Sequence, residues 1–156
     1  MQIIKESKKK FGEILSIQKM LVRQNEYMLG TREGLKFVVY DPNEKEFSSV
    51  YQDIEQKTPL CFLAGRQTLQ AKEVERDLIL TADYNVAGYF LINRGTREIR
   101  HITDRMTDNR GCFDIAVLPH FDLDAYPFAI CKGRKGISIV NLKTYMAEQF
   151  ILSEEM

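Results

Sequence analysis

The chain contains 156 residues, which favours a single domain and is long enough to bury a core without disulfide bonds. Hydrophobic residues make up 44% of the sequence and charged residues 28%, as in ordinary globular proteins. Lys and Arg together number 22, as do Asp and Glu, so the net charge favours neither nucleic acid nor an anionic membrane as a partner. The sequence also lacks an apolar run near the roughly 20 residues of a membrane-spanning helix, and it lacks the apolar segment of a signal peptide.

The three cysteines indicate an intracellular protein. Cys61, Cys112 and Cys131 are odd in number, widely spaced and without a C-x-x-C pair. A disulfide framework is therefore not expected, and reduced thiols predict a cytoplasmic location.

The first segment, residues 1–13, combines "MQIIKE" with the basic run "ESKKK". The distance from residues 1–6 to the next apolar run matches the distance from the fourth strand of one later repeat to the first strand of the repeat that follows it. Residues 1–6 are therefore interpreted as the fourth strand of a preceding repeat, followed by a linker. The basic run is interpreted as a solvated part of that linker rather than as a docking site for an acidic partner.

Residues 14–54 are predicted to form four short strands that begin near Ile14, Tyr27, Lys36 and Phe47. These runs are rich in Val, Ile, Tyr and Phe, which suit a half-buried pleated surface. The joints "REG" and "DPNEKE" contain Gly, Asp and Asn, which tolerate the positive φ of tight hairpins. The segment is therefore predicted to be one antiparallel sheet.

The same four runs return over residues 60–105 and 112–153. The second strands "YMLGT", "LILTA" and "FAICK" begin at residues 27, 78 and 128, a period of about 50 residues. The first strands are predicted at "ILSIQKML", "LCFLAG" and "CFDIAVL". The segment "TLQAKEVERD" at 68–77 is compatible with a helix and is predicted to be one helical turn or a long loop. A fixed period favours a propeller-type array over a β-sandwich or an ordinary barrel, which remain the alternatives.

Units of this length with four strands resemble the blades of WD-repeat β-propellers. The family's Trp-Asp dipeptide closes the third strand, and its Gly-His dipeptide is missing from all three units. The family's Asp between strands two and three is matched at best by Asp83. The positions that match the Trp-Asp dipeptide are Tyr40-Asp41, Ile92-Asn93 and Val140-Asn141. The resemblance implies an all-β fold of three four-stranded antiparallel blades and a role as a rigid platform for partner proteins.

Three blades are fewer than the 4–8 of typical propellers, so the outer blades would expose apolar faces that neighbours normally cover. Two arrangements would cover them: the chain is part of a longer propeller, or two copies assemble into one ring. The predicted partners are accordingly other proteins, a homodimer or the remainder of a longer propeller chain, with no nucleic acid and no membrane.

The sequence predicts no catalytic residue, cofactor or metal site. His101 lies in a strand among charged neighbours, and His120 stands beside Asp122 and Asp124 in a segment without further calcium-loop ligands. No P-loop, nucleophile-elbow or zinc-protease motif is present. The innermost strands are nearly all apolar, with Asp114 as their only acid.

Hairpin tips and linking loops on one rim are the predicted partner-binding site, because loops on a rigid scaffold carry recognition. Arg, Tyr and Met are also enriched at interfaces. The rim residues are predicted to be Arg32, Tyr84, Arg105, Arg110, Arg134 and Lys135. The predicted buried residues are Val38, Tyr40, Phe90, Ile92, Ile139 and the three cysteines.

The predicted function is a non-catalytic protein-interaction scaffold. Two alternatives stay open: a self-assembling structural half-propeller that binds nothing else, and a propeller enzyme with a central-channel site. The enzyme would need acidic or histidine side chains that converge on the innermost strands.

Overall fold

The computed structural model describes residues 10–83, 88–102, 114–117, 128–132 and 136–152. The described part of the chain is all-β and its strands pair in antiparallel fashion. In the described residues, one five-stranded sheet, which is built on four consecutive strands, is followed along the chain by two four-stranded sheets, and all three are open at both edges. The predicted all-β class and antiparallel pairing are thus confirmed, whereas four strands per sheet hold for the second and third sheets and not for the first, which has five.

The first sheet has the order β1-β2-β3-β4, and a short strand, β7, adds to β3. A separate two-stranded hairpin, β5–β6, follows β4. These strands are β1 (Ile14–Lys19), β2 (Glu26–Thr31), β3 (Gly34–Asp41), β4 (Glu46–Ser49), β5 (Tyr51–Asp53), β6 (Thr58–Pro59) and β7 (Cys61–Phe62).

The second and third sheets have the orders β8-β9-β10-β11 and β12-β13-β14-β15. The second sheet consists of β8 (Thr68–Glu75), β9 (Leu78–Asp83), β10 (Tyr89–Asn93) and β11 (Ile99–Ile102). The third sheet consists of β12 (Asp114–Val117), β13 (Phe128–Lys132), β14 (Gly136–Asn141) and β15 (Met146–Leu152).

The first strand of the second sheet differs from the prediction. Residues 68–77 form neither a helical turn nor a loop, because β8 occupies most of this segment and pairs with β9. The strand predicted at Leu60 is instead the short β7, in which Cys61 and Phe62 pair with Lys36 and Leu35 of β3. A segment assigned to the second repeat therefore completes the first sheet.

Four hairpins share one turn geometry, which explains the regular Asp or Asn at the end of each third strand. The Oδ1 atoms of Asp41, Asp53, Asn93 and Asn141 each accept two backbone N–H bonds from the residues two and three positions later. The residue four positions later has a positive φ of 53° to 66° in each turn. These side chains replace the backbone partners that a tight turn leaves without a bond. The residues with positive φ are Lys45, Lys57, Arg97 and Tyr145.

The chain divides into two compact units, Met1–Ala71 and Lys72–Met156. In the first unit, Phe11, Leu29 and Val38 form a small core on one face of the first sheet, with Tyr27 packed against it. On the opposite face Met28, Leu35, Phe37 and Phe62 are buried. The Phe37 and Phe62 rings meet edge to face at 6.0 Å.

In the second unit, the second and third sheets share one hydrophobic core. The second sheet contributes side chains that include Leu80, Tyr89 and Leu91, and the third sheet contributes others that include Cys131 and Val140. All five are nearly inaccessible to solvent. The two sheets therefore pack face to face through alternate residues of their strands.

The predicted buried set is confirmed for Val38 and Ile92, and for Cys131 among the cysteines. Tyr40, Phe90 and Ile139 are only half-buried, because each lies on a sheet face that is incompletely covered. Cys61 is also half-buried, since β7 is a two-residue strand at the margin of the first sheet. Cys112 lies outside the described residues.

Candidate interaction surface

Arg32 is the one predicted rim residue that the described ranges include. It lies in the turn between β2 and β3, and its guanidinium forms an ion pair with the carboxylate of Glu13. Its backbone N–H also donates to the Glu13 carbonyl oxygen at 3.1 Å. Both side chains remain about half exposed. The other five rim residues, Tyr84, Arg105, Arg110, Arg134 and Lys135, lie outside the described residues, and the rim stays a prediction.

A polar cluster surrounds the same turn. The Lys36 ammonium lies 3.1 Å from Glu33 Oε2 and donates to the Phe11 carbonyl oxygen at 3.0 Å. Cys61 lies opposite Lys36 in the sheet. Burial raises the pKa of the Cys61 thiol, while Lys36 lowers it and Glu33 raises it to lesser extents. The thiol is therefore not activated as a nucleophile.

A second surface lies on the face of the first sheet that carries the small core of Phe11, Leu29 and Val38. Apolar side chains line a groove of about 140 Å³ on this face. We call it the apolar groove, and its lining residues are Phe11, Ile14, Ile17, Leu29, Val38 and Phe47.

Strand register brings the groove residues together. Ile17 of β1 lies opposite Leu29 of β2, and the next residue on that face of β2, Tyr27, lies opposite Val38 of β3. Phe47 of β4 lies opposite Tyr40. Successive residues of a strand alternate between faces, so these positions share one side of the sheet.

Three groove residues keep much of their surface in water. Ile14 is 39% exposed, Ile17 51% and Phe47 38%. The Phe47 ring meets the rings of Tyr27 at 6.2 Å and Tyr40 at 4.8 Å, which fixes its position at the margin of the groove. Contiguous exposed apolar surface can mark a contact site for a protein, a membrane or a ligand.

The Lys10 side chain crosses one margin of the groove. Its ammonium donates to the Phe47 carbonyl oxygen at 2.8 Å and lies 5.4 Å from the centre of the Phe11 ring. A lysine stem can cover apolar surface while its charged head stays in water. The groove thus has an apolar floor and a basic margin.

A smaller cleft of about 110 Å³ lies in the second unit. Leu78, Leu91, Asn93, Glu98, Arg100 and Tyr145 line it. Its polar groups bind one another: Arg100 lies over the Tyr145 ring and 3.5 Å from Glu98. The Asn93 oxygen is engaged by the turn amides of Gly95 and Thr96. These contacts assign the cleft a structural role.

The described residues contain no group of three or more His, Cys, Asp or Glu side chains arranged to hold a metal ion. His101 is exposed on β11 and stacks on Phe90 at 5.0 Å. None of the described segments is a helix with the length and hydropathy needed to cross a lipid bilayer. His120, Asp122 and Asp124 lie outside the described ranges.

No protein-family model matches the sequence. No curated protein matches it either. Among solved structures, the fold is similar to part of the extracellular domain of a hybrid two-component system from B. thetaiotaomicron, with a TM-score of 0.50 and 16% sequence identity. The similarity covers 90% of this chain and 16% of the other chain, so this protein spans a small fraction of that neighbour's length. At this identity the similarity concerns the fold alone.

Proposed function

We propose that the chain is a non-catalytic protein-interaction scaffold and that the apolar groove is its principal contact surface. The exposure of Ile14, Ile17 and Phe47 around one continuous groove is the observation that supports this function. Covering a Leu, Ile or Phe side chain completely contributes roughly 1.5–3 kcal/mol, so three partly exposed side chains offer a useful share of a binding energy.

The groove favours a protein over a small molecule as its ligand. Its lining residues are all apolar and include no group that would orient a small polar ligand. Its margin carries aromatic rings and a lysine, which resembles the apolar centre and polar rim of protein interfaces.

The same proposal extends to the architecture. Each of the three larger sheets contains four consecutive antiparallel strands, and the sheets share one turn geometry. Both features support WD-repeat-like blades that belong to a larger or an assembled β-propeller. The thiols of Cys61 and Cys131 are not in disulfides, which supports a cytoplasmic location. The predicted rim at Arg32 and the hairpin tips is a second contact surface in this proposal.

Recovery of bound proteins by a tagged chain in its own cells tests the proposed function. Ile17→Glu places a charge in the groove and is expected to reduce that recovery about 10-fold or more. Ile54→Glu is the matched control, because Ile54 is 81% exposed and does not line the groove. Equal recovery of the same proteins by both variants would contradict the role of the groove. A Tyr84→Ala, Arg134→Ala variant tests the rim in the same assay.

A further inference from the structure

We infer that the apolar groove receives the third sheet of a second copy of this chain. This inference rests on the proposed interaction role of the groove and names its occupant. It follows from the way in which the second and third sheets of the chain pack against each other. The side of the third sheet that fits the groove carries Ile137 and Ile139.

The second unit provides the template for such a contact. Leu91 and Tyr89 of β10 are the second and fourth residues before Asn93, which begins the turn after the third strand. Their side chains enter the core that the second sheet shares with the third. From the third sheet, this core receives Val140, the residue directly before the corresponding Asn141. The second sheet thus offers the face of Leu91 to the third sheet, and the third sheet offers the face of Val140 to the second.

The first sheet carries the receiving face, and the margin of that face is incompletely covered. Tyr40 and Val38 are the first and third residues before Asp41, so they correspond to Val140 and Ser138 of β14. In the third sheet both of these positions are completely buried. In the first sheet Val38 is buried as well, whereas Tyr40 is only half-buried and packs on Phe47 at the margin of the groove.

The third sheet carries the complementary face. Ile139 and Ile137 are the second and fourth residues before Asn141, so they correspond to Leu91 and Tyr89. Those two residues of the second sheet are buried, whereas Ile139 and Ile137 are only half-buried. One chain therefore carries both surfaces of a sheet-on-sheet contact, and its second and third sheets already form such a contact with each other.

A surface that fits a different surface of an identical molecule joins copies head to tail. Sheets that pack in this way lie about 10 Å apart, with side chains interdigitating between them. Ile139 and Ile137 of one copy would then lie against Tyr40, Ile17 and Phe47 of the next. This contact covers the groove without any partner of different sequence.

The test is the mass of the full chain in solution, measured by light scattering and by native mass spectrometry over a range of concentrations. The wild-type chain is expected to assemble into whole multiples of the single chain. Ile17→Glu damages only the groove and Ile139→Glu only the third sheet, so each is expected to weaken assembly about 10-fold or more. Ile54→Glu is expected to assemble like wild type.

Mixing the two damaged variants gives the sharpest result. The Ile17→Glu copy keeps an intact third sheet and the Ile139→Glu copy keeps an intact groove. An equimolar mixture, with one variant isotopically labelled, is therefore expected to form a one-to-one pair although each variant alone is a single chain. Circular dichroism of each variant checks that it remains folded, and Ile17→Ala with Ile139→Ala replaces any variant that does not.

A wild-type chain that stays a single chain at every concentration would overturn the inference. Assembly that withstands Ile17→Glu, or a mixture without pairs, would overturn it as well. If the chain is single but Ile17→Glu abolishes recovery of another protein, the groove has a different occupant and the proposed function stands.

Discussion

The Arg100 guanidinium in β11 lies 4.1 Å from the centre of the Tyr145 ring, which belongs to the turn between β14 and β15. This contact joins the second sheet to the third. Tyr145 also packs against their shared core and has a φ of 61°, a conformation that is unusual for a bulky residue. The interaction between the sheets thus includes a turn residue held in a strained conformation.

The strain at Tyr145 can be separated from its packing. Tyr145→Ala removes the ring but keeps a Cβ at positive φ, and we expect the free energy of unfolding to fall by about 1–3 kcal/mol. Tyr145→Gly loses the same ring but relieves the strain, so it should be more stable than Tyr145→Ala by up to about 1 kcal/mol. Urea denaturation measures both values. A Gly variant less stable than the Ala variant would contradict the strain.

The shared turn geometry predicts a graded loss when its acceptor is removed. Asn141 is buried, and Asn141→Ala leaves the amides of Lys143 and Thr144 without their acceptor, at an expected cost of about 1–2 kcal/mol. Asp41 is exposed, so the same change there should cost less than about 1 kcal/mol. Asp41→Asn keeps the acceptor and is the control, which denaturation should show to be close to wild type. Equal losses for both Ala variants would show that burial does not matter in these turns.

Close backbone contact at Gly30 predicts a strong effect of a single methyl group. A Cβ at Gly30 would lie 2.6 Å from the Thr68 carbonyl oxygen and 2.4 Å from Ser16 Oγ. The serine can move but the backbone oxygen cannot do so cheaply, so Gly30→Ala should destabilise the protein by about 2 kcal/mol or more.

Gly95→Ala is the control for this prediction, because its Cβ would have only an ordinary contact of 3.4 Å with Asn93 Oδ1. Thermal unfolding followed by circular dichroism compares the two variants. If Gly30→Ala melts at the wild-type temperature, β2 does not lie as close to Thr68 as the structure shows.

The thiol of Cys61 predicts a dependence on pH. Burial raises its pKa above the ordinary value of 9.0, so the folded chain holds this proton more tightly than the unfolded chain. Between the two pKa values the folded state binds more protons, and its stability therefore decreases as pH rises above 9.0. The stabilising contribution is fully present below that pH.

Labelling with a thiol reagent across the alkaline range measures this shift directly. The labelling rate of Cys61 should still be rising at a pH where the unfolded chain has reached its plateau. Lys36→Met removes the cation that lowers the pKa and should move the profile to higher pH. A Cys61→Ser variant identifies the signal, since Cys131 is buried and should react more slowly. A Cys61 profile that matches the unfolded chain would contradict the raised pKa.

Much of the strand order could be predicted from sequence because two local signals agree. Alternating apolar residues mark the strands, and an Asp or Asn such as Asp41 or Asn93 begins the turn after each third strand. The hairpin β5–β6 carries the same signal, with Asp53 as acceptor and Lys57 at positive φ, but it falls between two predicted repeats.

The strand β8 could not be predicted in the same way because charged residues obscure its pattern. Glu73 is buried although it is an acid, since its carboxylate accepts the backbone N–H of Asp77 at 2.7 Å. Lys72 and Glu75 add charge on both sides of it, so the segment resembles a polar helix or loop. A hydrogen bond made only in the folded chain thus satisfies one carboxylate oxygen of the buried Glu73.

The apolar groove was anticipated only in principle. Three predicted blades are too few to close a propeller, so an outer blade is expected to expose an apolar face. The number of blades does not indicate which residues converge on that face. Phe11 precedes the first strand, and Phe47 reaches the groove only through the register of β3 and β4. Hairpin tips are easier to read from sequence than a surface assembled from four strands, which is why the prediction named the rim.

Photo-crosslinking from the groove in the native cell tests the interaction role most directly. A benzophenone amino acid at position 17 is expected to form covalent adducts with a protein that covers the groove, including another copy of this chain. The same amino acid at position 54, on an exposed turn, is expected to form few or none. Strong protein adducts from position 17 alone would support the groove as the contact surface, whereas absent adducts or equal adducts from both positions would contradict it.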